Sequence, residues 1–499
     1  MYDAILIVPP NRAFTRYRPP VTYLHLGGYL THFGHRVLVV DEQEFHDLYY
    51  PDKIALADRI ARKVVGLKSK IIGMSCYSHE YPVIKHLARQ LKAGNPDSLI
   101  VVGGLHPTLY PQAFFYEGAP FDIAVLGEGE LPLKEILDHL DGKRNLASIK
   151  GIAYKRNGQI HFNDKSIISP QVDDFTFPDY SLIDMRFYTT PNAYAFRGIY
   201  LSSFYFFIGR GCPSNCSFCV NKNIKNYMGS KPRNRSAQKV VDDILRIKKD
   251  YRIDGFYILD DAFTINREYV HEFCDELIKR KVGLLWAAQS RINAINHDYL
   301  KHMREAGCIQ LDFGVESGSP RMLALMRKGI KVQWVEEVFD SCHTLGIRPL
   351  ANILFNHPGE EKEDIDLTFK LIDRIKPSIT YFNIFMPTPG CDLAEKNNIT
   401  YTDEEIIMME EMGGGLCQKD PKYHYGNHDI DIVELVRTNH FKYNKLSSLV
   451  RFMFTGIYLR QLLRSRRKVS YAWAALALAK EFFRQIYLWR LKPLLTRSR

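Results

Sequence analysis

The sequence predicts an α/β protein in three parts: an N-terminal doubly wound parallel sheet, a second series of six strand–helix units, and a helical, basic C-terminal region. Short β-branched runs alternate with helical periodicities over the first third, and the alternation resumes after Tyr200 with polar motifs at the strand ends. The third observation is charge. Residues 442–499 hold 14 Lys and Arg against the single acid Glu481, whereas the remainder holds 53 basic and 55 acidic residues. The whole net charge of +11 therefore comes from the tail, and arguments from basicity apply to that tail alone.

A chain of 499 residues has room for two to four domains of roughly 100 to 200 residues and for a large core. The expected boundaries are 1–165, a linker at 166–199, 200–400 and 401–499. Composition excludes disordered, fibrous and disulfide-scaffold classes. Nine cysteines, three of them clustered, point to a reducing cytoplasm. The start, Met1 to Pro10, lacks a basic n-region and ends in a proline pair, so it does not read as a signal peptide. No run reaches the roughly 18 uncharged apolar residues of a spanning helix.

In chain order, the first strands are expected at Ala4 to Val8, Val37 to Val40, Ile71 to Ser75, Leu99 to Val102 and Ile123 to Leu126. Helices open at Pro20 and cover Asp52 to Leu67 and Tyr81 to Leu91. Such a sheet binds ligands at the carboxyl ends of its strands. No G-x-G-x-x-G follows the first strand, which argues against a dinucleotide fold. Asn157-Gly158 supplies the turn of a small hairpin. Pro170 to Tyr194 is polar and proline-containing, as a linker would be.

The second series starts with a strand-like run from Tyr200 to Ile208, then Gly255 to Asp261, Leu284 to Ala288, Ile309 to Val315, Arg348 to Phe355 and Ser378 to Phe385. The first of these delivers Gly211-Cys212-Pro213-Ser214-Asn215-Cys216-Ser217-Phe218-Cys219. C-x3-C-x2-C brings three thiolates round one point, and soft sulfur selects zinc or an iron–sulfur cluster. Structural zinc would want a fourth Cys or His at matched spacing, and none stands nearby. Three ligands on a 4Fe-4S cluster leave one iron open.

At these residues, Phe218 included, the sequence resembles the radical S-adenosylmethionine (SAM) superfamily. Asp260-Asp261-x-Phe263-Thr264, Glu316-Ser317-Gly318-Ser319 and Pro358-Gly359-Glu360 resemble that family's strand-end motifs in order, which implies a partial (β/α)6 radical SAM barrel. By that resemblance Cys212, Cys216 and Cys219 hold the cluster. Phe218, Arg291, Glu316 and Ser317 hold SAM, and Asp260 and Asp261 lie near substrate, unless they cap the following helix. The first domain resembles the cobalamin (B12)-binding Rossmann-like domain that precedes many radical SAM domains. Pro9-Pro10, Gly27-Gly28, Gly34-His35, Ser75-Cys76-Tyr77-Ser78, Gly103-Gly104-Leu105-His106 and Gly127-Glu128-Gly129-Glu130 carry the likeness. It implies a cobalamin set of Ser75, Gly103, Gly104, His106, Gly127 and Glu128. The D-x-H-x-x-G motif is absent, so no histidine is expected on cobalt, and His106 and His79 read as packing residues.

The resemblance implies cleavage of SAM to a 5′-deoxyadenosyl radical and cobalamin-dependent methylation of an unactivated carbon. Radical oxidation or cyclisation without methyl transfer stays open, as does a non-catalytic iron–sulfur or cobalamin sensor. Expected partners are a small-molecule or lipid-linked substrate and an electron donor such as flavodoxin or ferredoxin. In the tail, Thr402 to Glu405 signals a helix start, Leu446 to Leu463 a helical cap, and Leu476 to Trp489 a basic amphipathic helix with aromatics. That last pattern suits the inner surface of an anionic membrane, and equally helices that close the barrel; nucleic acid ranks behind both.

Overall fold

The computed structural model contains one mixed and one all-parallel sheet, and the structure describes residues 1–10, 17–42, 52–165, 171–174, 177–396, 398–406, 423–426, 429–444 and 455–464. The first sheet has the order β2-β1-β3-β4-β5-β6-β7. Its strands are β1 (Tyr2–Ile7), β2 (Val37–Val40), β3 (Ser69–Ser75), β4 (Leu99–Gly103), β5 (Ile123–Val125), β6 (Ile152–Arg156) and β7 (Gln159–Phe162). The first five pair in parallel. Helices α1 (Val21–His32), α2 (Lys53–Val64), α3 (Tyr81–Gly94), α4 (Leu105–Leu109) and α5 (Glu130–Leu140) connect them.

Alternation decides which side each strand residue serves. Ile5, Ile7, Ile72 and Val102 join α2 and α3 in one core; Ala4, Leu6, Ile71 and Val101 join α1 and α5 in another. The sheet is therefore covered on both faces, as continuous apolar runs require. Asp52 starts α2 by accepting hydrogen bonds from the Ile54 and Ala55 N–H groups. Asn157 and Gly158 have φ of 52° and 79°, the left-handed pair of a tight hairpin turn. That hairpin is not a free-standing unit. β6 pairs antiparallel with β5 and extends the sheet.

The second sheet runs β10-β13-β14-β15-β16-β17, all parallel and in chain order. The strands are β10 (Ser203–Phe206), β13 (Gly255–Ile258), β14 (Leu285–Ser290), β15 (Cys308–Glu316), β16 (Arg348–Phe355) and β17 (Ile379–Ile384). Two-residue strands β11 (Gly209–Arg210) and β12 (Arg233–Asn234) pair beside it. Helices α7 (Asn221–Met228), α8 (Ala237–Tyr251), α9 (Arg267–Lys279), α10 (His297–Glu305), α11 (Pro320–Leu325), α12 (Val332–Leu345), α13 (Lys362–Ile375) and α14 (Asp392–Lys396) follow in order.

Two expectations need correction. The run from Tyr200 to Ile208 is not one strand: it breaks at Ser202, whose buried hydroxyl donates to the Thr189 carbonyl at 2.7 Å. Its first part is β9 (Ile199–Leu201), which turns back on β8 (Asn192–Phe196) as a separate hairpin. The stretch read as a linker is also structured. Tyr180, Met185 and Tyr188 are buried in the core of the second sheet, the last two on a short helix, α6 (Met185–Tyr188). Gly28 of α1 lets this segment dock, because a Cβ there would lie 1.7 Å from the Phe177 carbonyl oxygen. Polar composition hid a segment held by a few aromatics.

Beyond β17 the Thr402–Glu405 signal is realised. The Glu405 N–H donates to Thr402 Oγ1 and the Thr402 N–H to Glu405 Oε2, at 3.2 and 2.8 Å. Helix Ile432–Tyr443 packs on β17, where Asn444 hydrogen-bonds both the N–H and the carbonyl of Thr380. Helix Gly456–Arg464 closes the amino end of the second sheet. Its fully buried Tyr458 donates to the Tyr200 carbonyl, and Gln461 to the Asp254 carbonyl. The Leu476 to Trp489 helix and Cys417 lie outside the described residues.

Candidate radical cofactor site

Between β11 and α7 the cysteine loop is tied down at many points. Lys225 of α7 donates to the Pro213 and Ser214 carbonyls and to Asn215 Oδ1, at 2.6 to 2.8 Å. Ser217 uses its N–H and its hydroxyl on the Met326 and Leu325 carbonyls. Asp260, at the end of β13, accepts from the Ile208 N–H at 2.8 Å and so fixes where β10 hands over to the loop. It does not cap the helix that follows. Burial holds its carboxyl up to about 8. Asp261 is placed differently, with Oδ2 accepting from Asn221 at 3.1 Å on the loop side.

Cys212 and Cys216 are buried and Cys219 half-buried. Burial first, with the neighbouring Cys216, Asp261 and Cys212 adding to it, pushes the Cys219 thiol up to about 11. The three sulfurs thus share one neighbourhood without a disulfide. Among the described residues no three His, Cys, Asp or Glu groups stand close enough for a bare metal ion. The donor set, three cysteines beside a guanidinium, fits an iron–sulfur cluster of net negative charge.

The residues assigned to SAM converge on one side of this loop, through a lysine that sequence reasoning missed. Lys328 Nζ donates to Glu316 Oε1 at 2.6 Å and stands 5.7 Å from the centre of the Phe218 ring. Arg291 donates to the Lys328 carbonyl at 2.6 Å and to Cys216 Sγ at 3.7 Å. Glu316 has φ 65°, a left-handed conformation unusual for glutamate. Ser317 departs from the set. It is 1% exposed, and its hydroxyl is engaged by Thr368 Oγ1 and the Ser319 N–H, so its contacts serve α13 instead of the cofactor side. Lys328 lies in no recognisable motif; its position after α11 was the only signal. Beside the loop, a cleft of about 430 Å³ is lined by Pro213, Ser214, Ile265, Arg267, Arg291 and Asn293.

In the first sheet, Ser75 and Gly103 are register partners at the carboxyl ends of β3 and β4. Gly104 follows at φ 99°, and a Cβ there would meet Ser75 Oγ at 2.6 Å. The strand order reverses between β1 and β3, and small residues at the carboxyl ends of β3 and its neighbour β4 leave a flat, half-buried platform beside that crevice that fits a macrocycle. His106 is not on that platform. It is buried among Tyr81, Tyr110 and Phe114 with Nδ1 on Ser78 Oγ, and burial pushes it down to about 4. Gly127 and Glu128 face the second sheet. Gly127 abuts Tyr227 of α7, Glu128 pairs with Arg233 and Arg210, and Glu130 pairs with Arg210. These pairs join the platform's edge to the two strands that frame the cysteine loop.

A model of the B12 binding domain matches residues 18–137, and one of the radical SAM superfamily matches residues 206–372. The chain is a B12-binding radical SAM enzyme. Its cofactors are accordingly a 4Fe-4S cluster, SAM and cobalamin. The enzyme is 27% identical over 461 residues to an uncharacterized methyltransferase of Pyrococcus horikoshii, covering 91% of this chain and 92% of that one. It is 29% identical over 392 residues to the anaerobic magnesium-protoporphyrin IX monomethyl ester cyclase of Rubrivivax gelatinosus, covering 76% and 66%. Among solved structures, TsrM, a radical SAM methyltransferase from Kitasatospora setae with tryptophan and a SAM analogue bound, superposes with a TM-score of 0.65 at 18% identity. The match covers 79% of this chain and 76% of that one. No described helix is long and apolar enough to cross a membrane.

Proposed function

We propose that the enzyme transfers a methyl group to an unactivated carbon of its substrate. The observation that carries this reading is the pairing of Glu128 and Glu130 with Arg233 and Arg210, which sets a cobalamin platform against a cysteine loop. The extent of likeness to a methyltransferase, 92% of that chain's length, supports it. When bound, the cluster, SAM and cobalamin supply the electron, the radical source and the methyl carrier. The chain's own residues orient them: Arg291 beside Cys216, Lys328 between Glu316 and Phe218, and Gly104 clearing the platform. Anaerobic reconstitution with iron, sulfide and hydroxocobalamin tests the reading. It expects about four irons and one cobalt per chain, and transfer of labelled methyl from SAM to reduced cobalamin. Iron without cobalt would leave oxidation or cyclisation.

Electrons are proposed to enter from a flavodoxin- or ferredoxin-class donor at the cleft holding Arg267 and Arg291. Arg267→Glu should slow flavodoxin-driven SAM cleavage and spare the dithionite-driven reaction; equal slowing of both would remove that site. Residues 465–499, with nine basic residues and one acid, are proposed to hold the enzyme at an anionic membrane surface on the cytoplasmic side. A chain ending at Arg464 keeps Tyr458 in place and should lose binding to anionic liposomes. Undiminished binding would refute the membrane role.

A further inference from the structure

The face of the second sheet turned away from its helices carries an arginine that the cofactor site does not use. Phe204, Phe256, Leu311, Phe313, Ala351, Ile353 and Phe382 point into the helical core. By strand alternation Tyr205, Tyr257, Asp312, Asn352 and Tyr381 point the other way. Over the amino end of that face lies the β8–β9 hairpin, whose two-residue turn is Arg197-Gly198, with φ of 42° and 90°. Asn or Gly is the usual choice at the first of these positions, because a β-carbon there crowds the following carbonyl. An arginine kept where it is strained points to a use for its side chain.

That side chain is held from below and open above. Arg197 Nε donates to Asp312 Oδ2 at 3.4 Å. Asp312 is itself fixed by Tyr257 Oη at 2.8 Å and Gln310 Nε2 at 2.9 Å. The guanidinium carbon lies 5.8 and 5.5 Å from the Tyr257 and Tyr381 ring centres, so two aromatic faces orient its plane. Its two terminal nitrogens have no hydrogen-bond partner among the described residues, and the side chain remains 34% exposed. Below it, the Arg348 guanidinium is spent on the Phe196 and Arg197 carbonyls and on Gln310. Arg197 is thus the one arginine of this pair with a fork to offer, and a planar fork matches an oxyanion in two-point contact.

We propose that Arg197 is a specificity-determining residue that grips an oxyanion, a carboxylate or a phosphate, on the substrate. Resting on the methyl-transfer reading, this places the substrate between the aromatic pair and the cofactor end of the same face, with its reacting carbon away from the anionic group. Asp312 acts as a positioning residue, holding Nε so that the terminal nitrogens face outward.

The test uses the reconstituted full-length enzyme with benzoate and inorganic phosphate as separate probes, titrated by calorimetry. Saturable binding of one probe is expected, and its identity separates a carboxylate from a phosphate substrate. Arg197→Asn, which suits the left-handed turn, should weaken that binding at least about tenfold, with Arg197→Lys intermediate. Phenylglyoxal labelling of the wild-type Arg197 peptide, read by mass spectrometry, should be slowed by the same probe, and this arm needs no variant to fold. No saturable binding of either probe, equal binding by Arg197→Asn, or unprotected labelling would each overturn the proposal. SAM cleavage by the wild-type protein is scored separately. Its absence would end the methyl-transfer reading, while the anion titration would still decide the role of Arg197.

Discussion

In the first sheet successive residues of one strand enter different apolar cores, Ile5 and Ile7 to one side and Ala4 and Leu6 to the other, so ligand can reach it only at the strand ends. In the second sheet Phe256 and Ile258 are packed beneath helices, while Tyr257 between them turns to a face lined by Asp312, Asn352 and Tyr381. The same βα repeat thus yields a platform in one half and a wall in the other. What differs is the cover on the second face: helices in the first sheet, and in the second the β8–β9 hairpin and helix Gly456–Arg464, packed on Tyr205, Tyr257 and Leu285. A platform suits a flat cofactor; a wall with its own charges suits a substrate.

The largest effect should come from the loop that the second sheet alone possesses. Cys216→Ala is expected to abolish cluster assembly and SAM cleavage, measured as iron content and 5′-deoxyadenosine, while the first sheet still takes up cobalamin. Retained cleavage would remove the cluster assignment. Next is the join between the halves. Glu130→Ala takes from the half-buried Arg210 its nearest partner and leaves it Glu128 at 3.5 Å, at a cost of about 1.5–3 kcal/mol. Thermal unfolding should then shift to lower temperature and separate into two transitions; a single unshifted transition would mean that the ion pairs do not couple the sheets.

Burial also pushes up an acid in each half, Glu80 to about 7 in the first and Asp260 to about 8 in the second, where Glu360 joins it at about 8. Unfolded, all three give up their protons near ordinary carboxylate values. Between those values and the raised ones the fold binds more protons than the unfolded chain, so stability is lost progressively from about pH 4 until the pH has passed about 7 for Glu80 and about 8 for Asp260. The melting temperature should fall from about pH 5 to about pH 8 and level off above it, and Glu80→Gln and Asp260→Asn should each flatten part of the slope. An unchanged slope in both would place the titration elsewhere. The smallest effect belongs to the polar wall. Tyr257→Phe removes one hydrogen bond to Asp312 and should cost about 1–2 kcal/mol in denaturant titration. A loss as large as that of a core aromatic would mean that more than the hydroxyl is lost, because the Tyr257 ring is itself buried with Phe196, Leu285 and Tyr458.

Much of this was legible in the sequence where one local force dominates. Val37–Val40 and Arg348–Phe355 are strands over the very residues expected, because runs of β-branched and apolar side chains bounded by polar ones have no competing reading. The three cysteines were legible for the same reason. Tyr200 to Ile208 was not, since its break at Ser202 depends on a carbonyl 13 residues away. Lys328 and Arg197 carry no motif, and their importance arises only when β15 and the β8–β9 turn bring them to Glu316 and Asp312. Ser317 shows the converse: a residue inside a good motif whose hydroxyl is claimed by Thr368 on the next helix.

Helix Gly456–Arg464 and the β8–β9 hairpin together stopper the amino end of the second sheet, with Tyr458 seated on Tyr200. Among the described residues, a stretch 258 positions away in sequence from Tyr200 thus completes the floor of the sheet whose other end carries the cysteine loop. Damage to that helix should therefore be felt as lost rigidity under Arg197 before it is felt at the cofactors.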